Sequence, residues 1–392
     1  MRILYVGTLP PNPGGAAVSC AEILVGLAER GHQVSAIVPV TSEAESQGRT
    51  FGEIHPELAI TRFPVPYFST NQLTPEPEDY RASVASHLDR LVPIAIGDSR
   101  PDVMFVGRES FVWAAPDIAR AHGVPVVQRL AGTITRALIE GRYPPVLADD
   151  LRAKLSRIDA LVTPGRHMAH AVKRLGLIDT RVIPTAVDLE RFHPAPRDPL
   201  LAGRLAITAN DLVVAHLANL KSWKRSLDLI RSAVPALRQD GRLLYLVVGD
   251  GQMRPDLERA SRELGITERV RFTGWQPYED IPRYLSLADL VVTTSDHEGL
   301  SRVYLETQAC GRVLVASDIP AAREVVDDDE TGLLFPCGDV AALARTTLRA
   351  AGEASLRERI GRNARKRAES HSLTQMVAAY EALLSETAES VR

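Results

Sequence analysis

Cysteine is scarce in this chain, with three in 392 residues. Cys20, Cys310 and Cys337 stand too far apart for a CxxC pair or a metal-ligand spacing. A disulfide scaffold and a cysteine metal centre are therefore excluded, and a reducing, cytoplasmic compartment is the natural expectation. An excess of charge of either sign is also missing. Lys and Arg number 46 against 49 Asp and Glu, a net charge of −3, so net charge makes no case for nucleic-acid binding. No stretch of uninterrupted apolar residues reaches the roughly 18 that a transmembrane helix needs. The opening MRILYVGTLPP is too short for a signal-peptide core followed by a cleavage region. A GxGxxG fingerprint is absent as well, because Gly7 and then Gly14-Gly15 have the wrong spacing. That disfavours a nicotinamide-dependent oxidoreductase.

The chain does contain enough apolar residues to fold. Hydrophobic residues make up 45% and charged residues 24%, which rules out a disordered chain. Its length fits two or three domains at roughly 150 residues each. Residues 2–7, RILYVG, form a short apolar run stopped by glycine, a buried strand. A Pro/Gly-dense loop follows. Ala17, Ala21, Leu24 and Ala28 then recur at helical spacing up to Gly31, and 33–40 reads as the next strand. Strand, loop, helix, strand is a βαβ unit and implies a parallel sheet. Further strands are expected at 102–107, 124–130 and 159–163. A second series follows at 212–218, 243–249, 270–273, 289–294, 313–316 and 332–335, with helical patterns between. Residues 41–82 are irregular and carry no assigned element. The Pro-rich 181–199 reads as a linker, and 373–387 as a closing helix. Two α/β domains in tandem result, with ligands expected outside the carboxyl ends of the strands. The basic run RERIGRNARKR, 357–367, reads as a solvated helix face in preference to a lipid-binding patch.

Three places could carry chemistry. Gly14-Gly15 opens the first helix, where backbone N–H groups attract phosphate; a plain tight turn is the ordinary alternative. Glu298 and Glu306 lie in SDHEGLSRVYLETQACG. Glu298 falls in the loop after strand 289–294, and Glu306 sits two turns along a helix expected over 302–310. Gly299, Leu300 and Ser301 present backbone N–H groups between them. Two carboxylates flanking an anion site suit a sugar joined to a nucleoside diphosphate. The ordinary alternatives are a Ser295/Glu298 capping box and an exposed Arg302/Glu306 ion pair. Lys224 follows strand 212–218 and could pair with phosphate, or be an exposed lysine at a helix start.

These residues carry a family resemblance. In order, NLKSWKRSLDLI, LLYLVVGDG, VRFTGW, IPRYLSLADLVVTTSDHEGLSRVYLETQACG, VLVASDIP and EVVDDDETGLLFPCGD resemble the retaining glycosyltransferases of family 4. The spacing of Glu298 and Glu306 fits that family's E-x7-E signature. The N-terminal half matches more loosely through RILYVGTLPPNPGGAA, AERGHQV and VIPTAVDLERF. The resemblance implies the α/β GT-B fold, two Rossmann-like doubly wound parallel-sheet domains facing across a cleft. The expected boundaries are 1–188 for the acceptor-binding domain and 189–370 for the nucleotide-sugar-binding domain. A helix in 371–392 is expected to cross back to the first domain.

Roles follow from the resemblance. Glu298 would bind the donor sugar hydroxyls, Glu306 the ribose, and Lys224 the leaving diphosphate. Gly14 and Gly15 would approach the diphosphate, backbone N–H groups at Leu300 and Ser301 beside Gly299 would assist, and backbone near Arg271 would meet the base. No metal or other cofactor is implied. The acidic runs Asp327-Asp328-Asp329 and Asp149-Asp150 then read as surface. The implied reaction retains configuration by a front-face route, with an acceptor (a glycan, a lipid-linked sugar or a small molecule) attacking on the side from which the diphosphate leaves. The partners are thus a nucleotide-diphosphate sugar and an acceptor. Peripheral contact with the inner membrane surface is compatible with this reading.

Three departures from the family pattern stand out. Asn219 occupies the place of an arginine five residues before the lysine, with Lys221 and Arg225 as alternative cations. Ala131 stands where many members carry histidine, with Arg129 and Thr133 nearby. Thr185-Ala186 replaces an Asn-Gly pair. Arg108, after strand 102–107, could line the acceptor side, as could Arg129 and Thr133; for Arg108 and Glu109 structural ion pairing is the alternative. Trp223 and Trp275 read as core aromatics in preference to cleft residues, and His297 as structural or solvated. Two other readings remain: a GT-B-fold nucleotide-sugar 2-epimerase, and a catalytically silent nucleotide-sugar-binding protein.

Overall fold

The structure is a computed structural model and describes residues 1–10, 12, 14–41, 58–66, 76–97, 100–178 and 180–390. It divides into two units. Unit 1 comprises Met1–Thr185 and Leu373–Arg392; unit 2 comprises Ala186–Ser372. The first division falls three residues before the expected 188/189 boundary, and the second two residues after 370.

Unit 1 is built on a parallel sheet of β1 (Arg2–Val6), β2 (Gln33–Thr41), β3 (Ala59–Val65), β4 (Val103–Val106), β5 (Val126–Arg129), β6 (Ala160–Thr163) and β7 (Thr180–Val182). The strand order is β3-β2-β1-β4-β5-β6-β7. The short apolar runs form strands because both faces of the sheet are covered, as in parallel sheets generally. On one face Leu4, Val6, Met104, Val106 and Val126 pack against Val84, Leu88 and Val92 of the helix Glu78–Ile96. On the other face lie the first helix, Gly15–Glu29, and the C-terminal helix, Leu373–Glu389. There Tyr5 and Tyr380 both meet the Phe105 ring, with centroids 5.5 and 5.4 Å away. Gly26 lets Val377 approach so closely that a Cβ would stand 2.5 Å from its methyl.

Three elements occupy or enter stretches that the sequence reading left without structure. In 41–82, β3 spans Ala59–Val65 and the helix Glu78–Ile96 begins. The remainder of that stretch, 42–57 and 67–75, lies outside the described residues. β3 escapes the alternation test because it is an edge strand in which only Phe63 and Val65 are buried, and exposed edge positions carry no apolar signal. At the linker, β7 takes Thr180–Val182 into the sheet, so the irregular stretch is shorter than 181–199 and ends at the helix Pro199–Arg204.

Unit 2 carries β8 (Leu212–Leu217), β9 (Leu243–Val248), β10 (Val270–Phe272), β11 (Leu290–Thr293), β12 (Val313–Asp318) and β13 (Leu333–Pro336). All are parallel, in the order β10-β9-β8-β11-β12-β13. Successive residues alternate between two cores, as strand geometry requires. Val213, Ala215 and Leu217 join one, with Leu305, Ala309 and Ala322; Val214 joins the other, with Leu229, Ala233 and Leu343. Among the described residues, no helix is long and apolar enough to cross a membrane.

The basic run 357–367 is a solvated face only in part: Arg362 and Lys366 are exposed, whereas other arginines bond backbone carbonyls. The run lies in the helix Ala354–Ala368, and several of its arginines reach carbonyls of other segments. Arg357 donates to Ala350 O and Ala351 O at 2.7 and 2.5 Å. Arg365 donates to Phe192 O and Ala309 O at 2.8 and 2.9 Å, and Arg359 to Asp329 O at 2.7 Å. Ala351 and Ala309 lie in the last turns of their helices, where unpaired carbonyls and the negative dipole end favour a cation.

Candidate active site

In a doubly wound sheet, the place where strand order reverses leaves a crevice at the carboxyl ends of the two central strands. In unit 2 those strands are β8 and β11. The loop after β8 carries Lys224, and the loop after β11 carries Glu298. The two side chains meet: Lys224 Nζ donates to Glu298 Oε1, with side-chain exposures of 18% and 12%. Lys224 is therefore a half-buried, paired cation in the turn Ser222–Lys224, not an exposed lysine at a helix start. Glu298 Oε1 also accepts from Ser295 Oγ at 2.7 Å. That bond joins two side chains. The cap of the helix Arg302–Ala309 is Ser301, not Ser295, so the capping-box alternative is set aside.

Backbone contacts hold the two loops together. Thr294 Oγ1 donates to Lys224 O at 2.6 Å, and Asp296 N–H donates to Trp223 O at 2.9 Å. Behind them, buried His216 bonds Val292 O through Nδ1 and Ser226 Oγ through Nε2, both at 2.8 Å. Burial pushes its pKa down to about 4, so this imidazole is neutral. The β8 loop is fixed from a second side by the turn Gly249-Asp250-Gly251 after β9. Leu220 N–H donates to Asp250 O at 2.8 Å. Gly249 has φ +126°, and a Cβ there would stand 2.0 Å from Ala218 O, so only glycine fits. Asn219 lies in this held loop, and its carbonyl accepts from Lys221 N–H at 2.7 Å.

Gly299, Leu300 and Ser301 lead into the helix Arg302–Ala309, as the sequence indicates. Glu306 is buried, and its Oε1 accepts from Tyr278 Oη at 3.0 Å and Arg302 Nε at 3.2 Å. The Arg302–Glu306 pair has the expected spacing but is buried, not exposed, with side-chain exposures of 6% and 4%. Arg271 lies on the edge strand β10 and spends its side chain on Leu205 O and Glu268 O at 2.9 and 3.0 Å. Of the alternative cations, Lys221 Nζ lies 4.9 Å from the centre of the Trp223 ring, and Arg225 pairs with Asp228 at 2.7 Å. Trp223 is half-buried and Trp275 is 44% exposed, so neither belongs to the core. In the acidic run Asp327–Asp329, Asp328 accepts from Leu334 N–H and Asp329 pairs with Arg349.

In unit 1 the reversal lies between β1 and β4. Gly14 caps the first helix at φ 111° with open space around it, and Gly15 is the first helical residue. Arg108 follows β4, half-buried, with its guanidinium 5.9 Å from the Tyr80 ring. Glu109 does not pair with it. This buried carboxylate turns to the start of the helix Thr133–Ile139 and accepts from Gly132 N–H and Ile134 N–H at 2.5 Å each. Burial raises its pKa, and those backbone bonds oppose the rise. Thr133 is exposed at that helix start. Arg129 is 5% exposed, on the sheet face covered by the first and C-terminal helices, and its buried Nε and Nη1 have no hydrogen-bond partner among the described residues. It is thus a core residue of that face, not an open acceptor-side group. Sequence reasoning paired Ser295 with Glu298 only as a capping box, and it missed Thr294 and Tyr278, because no spacing rule links them to Lys224 and Glu306.

The profile of the family described as Glycosyltransferase Family 4 matches residues 13–191, and that of Glycosyl transferases group 1 matches 201–367. A 2-deoxystreptamine glucosyltransferase from Streptomyces kanamyceticus is 30% identical over 267 residues, which cover 63% of this chain and 67% of that protein. The chain belongs to glycosyltransferase family 4. A D-inositol 3-phosphate glycosyltransferase from Nocardia farcinica is 32% identical over 234 residues. That match covers 57% of this family 4 chain and about half, 52%, of the relative. Among solved structures, HepE of Anabaena in complex with UDP and glucose aligns over 98% of this chain and 100% of its own, with TM-score 0.80 and 21% identity. Such likeness establishes the GT-B fold for this family 4 member.

Proposed function

We propose that this protein is a retaining glycosyltransferase that moves a hexose from a nucleotide-diphosphate sugar to an acceptor hydroxyl by a front-face route. The observation that carries the reading is the Lys224–Glu298 pair, formed by two loops at the strand-order reversal of unit 2. Relatives named as glycosyltransferases, and a structural neighbour solved with UDP and glucose, support it.

In this reading the donor takes over the two groups that now bind each other. The diphosphate pairs with Lys224 Nζ, and N–H groups at Leu300 and Ser301, at the start of a helix, add their partial positive charge. Glu298, released from Lys224, accepts hydrogen bonds from sugar hydroxyls. Glu306 serves the ribose, with Tyr278 and Arg302 orienting its carboxylate. The bond from the anomeric carbon to the diphosphate breaks as the acceptor oxygen bonds that carbon on the same face, and the acceptor proton passes to the leaving phosphate oxygen. The protein contributes position and electrostatic stabilisation. Lys224 meets the developing charge, so the reading calls on no metal. Arg108 and Thr133 of unit 1 serve the acceptor.

The test is a thermal-shift screen with UDP-, GDP-, ADP- and dTDP-sugars, followed by product analysis with the base class that binds. A ligand at about 100 times its Kd raises stability by roughly 2.7 kcal/mol. Stabilisation by one base class and an α-configured product from an α-donor are expected. Binding without any transfer or donor hydrolysis would favour a silent binding protein instead.

A further inference from the structure

The loop after β11 sends two consecutive side chains toward the turn Ser222–Lys224. Glu298 reaches Lys224; His297 lays its ring against Trp223, with centroids 5.6 Å apart and planes tilted by 41°. The Asp296 N–H bond to Trp223 O fixes the backbone at that point. His297 Nδ1 is bonded to the Asp296 carboxylate. A carboxylate only accepts, so the proton sits on Nδ1 and the ring is locked in orientation. Nε2 is then the one ring nitrogen still able to bond, and it has no partner among the described residues. The His297 side chain is 22% exposed and adjoins the Lys224–Glu298 pair through its neighbour Glu298.

We propose that His297 Nε2 hydrogen-bonds a hydroxyl of the donor's sugar, so that Asp296, His297 and Trp223 together help select which sugar is transferred. The inference rests on the reading of Lys224 and Glu298 as the donor site. With the proton on Nδ1, Nε2 accepts, so a sugar hydroxyl can donate to it, whereas the ionised diphosphate oxygens carry no proton to give. The structure therefore separates two kinds of affinity: the nucleotide part held by Lys224 and the helix start, and the sugar part held by Glu298 and His297. The Trp223 ring and the Asp296 carboxylate fix the imidazole before the donor arrives, which lowers the ordering cost of binding.

Calorimetric titration of the full chain tests this. The probes are UDP-glucose, UDP-galactose, UDP-N-acetylglucosamine, GDP-mannose, ADP-glucose and dTDP-glucose, each beside its free nucleoside diphosphate. For the sugar that the wild type binds best, His297→Ala is expected to weaken binding three- to tenfold, the range of one hydrogen bond. Affinity for the free diphosphate should change less than twofold. His297→Gln, whose amide can reach the place of Nε2, should recover part of the loss. Equal loss for the sugar and for the free diphosphate would reduce His297 to a structural residue and overturn the proposal. Unchanged sugar affinity in His297→Ala would overturn it as well, while leaving the donor site standing. Failure of every probe to bind the wild type would overturn both the donor reading and this inference.

Discussion

Both units place a strand-order reversal at the carboxyl ends of a parallel sheet, but they use their charged residues there in opposite ways. In unit 2 the loops after β8 and β11 direct Lys224 and Glu298 at each other, and the Thr294 hydroxyl and the Asp296 N–H tie the same loops by donating to Lys224 O and Trp223 O. In unit 1 the comparable charges turn into the protein. Glu109 holds the start of the helix Thr133–Ile139, and Arg129 is buried on the sheet face beneath the C-terminal helix, with its Nε and Nη1 unpartnered among the described residues. A charged residue after a strand is thus no sufficient sign of a binding group. What decides its use is whether other elements have already covered it, as at Arg129, or taken its hydrogen bonds, as at Glu109.

That contrast can be broken first at Glu298. Glu298→Gln keeps the shape and the Ser295 bond but removes the charge that pairs with Lys224. We expect transfer to fall by about 10²–10³-fold, the scale of losing one preorganised electrostatic group, with an unchanged circular-dichroism spectrum. Near-normal turnover would remove Glu298 from the site. The reciprocal substitution in unit 1, Arg129→Met, should alter the melting temperature far more than the chemistry.

The next effect concerns the frame beneath Lys224. Gly249→Ala forces a Cβ to within 2.0 Å of Ala218 O at φ +126°. A loss of about 3 kcal/mol or more in chemical denaturation is expected, from combined strain and overpacking. Equal stability of the variant and the wild type would show that the β9 turn does not hold the β8 loop.

Acidity separates the units as well. His216 lies under the unit 2 site with its pKa lowered to about 4, against an ordinary value near 6.5. The unfolded chain binds this proton at higher pH than the folded one. Stability is thus fully present above about pH 6.5 and is lost as pH falls from there toward 4, by up to a few kcal/mol. Melting temperatures measured from pH 7 to pH 5 should fall, and His216→Asn should flatten the dependence. An equally steep fall in that variant would assign the effect to other groups, such as His371, whose pKa burial also lowers.

The smallest expected change is at Glu109. Glu109→Gln leaves one of the two N–H groups, Gly132 or Ile134, facing an amide NH2 in place of an acceptor. A loss of about 1–2 kcal/mol is expected in denaturant titration. Donor affinity should not move, because the bonds of Glu109 go to the helix start at Gly132 and Ile134 and to none of the donor-site residues. A change in nucleotide affinity would contradict that separation.

Much of the fold was legible in the sequence because parallel strands buried on both faces read as short, nearly pure apolar runs, such as LLYLVV in β9 and LVVT in β11. The edges were not legible. β3 buries only Phe63 and Val65, and β7 has three residues, none fully buried. The helix Glu78–Ile96 hides behind its polar face, for only Tyr80, Val84, Leu88 and Val92 are buried along it. Within the site, Lys224, Glu298 and Glu306 could be named from motif spacing. Ser295 could be paired with Glu298 by its spacing, but Thr294 and Tyr278 could not be assigned, because they meet Lys224 and Glu306 only through folding.

By itself the sequence determined that this is a two-part α/β chain, and which loops carry its lysine and glutamates, because strand period, glycine stops and motif spacing are local properties. The tertiary structure decided which charges are open and which are spent. Arg302 looked exposed and is buried against Glu306; Arg365 looked solvated and caps a distant helix; Arg129 looked available and lies in a core. The reason is physical. A long charged side chain bonds whatever acceptor lies within its reach, and which carbonyl or hydroxyl that is depends on chain segments far away in sequence.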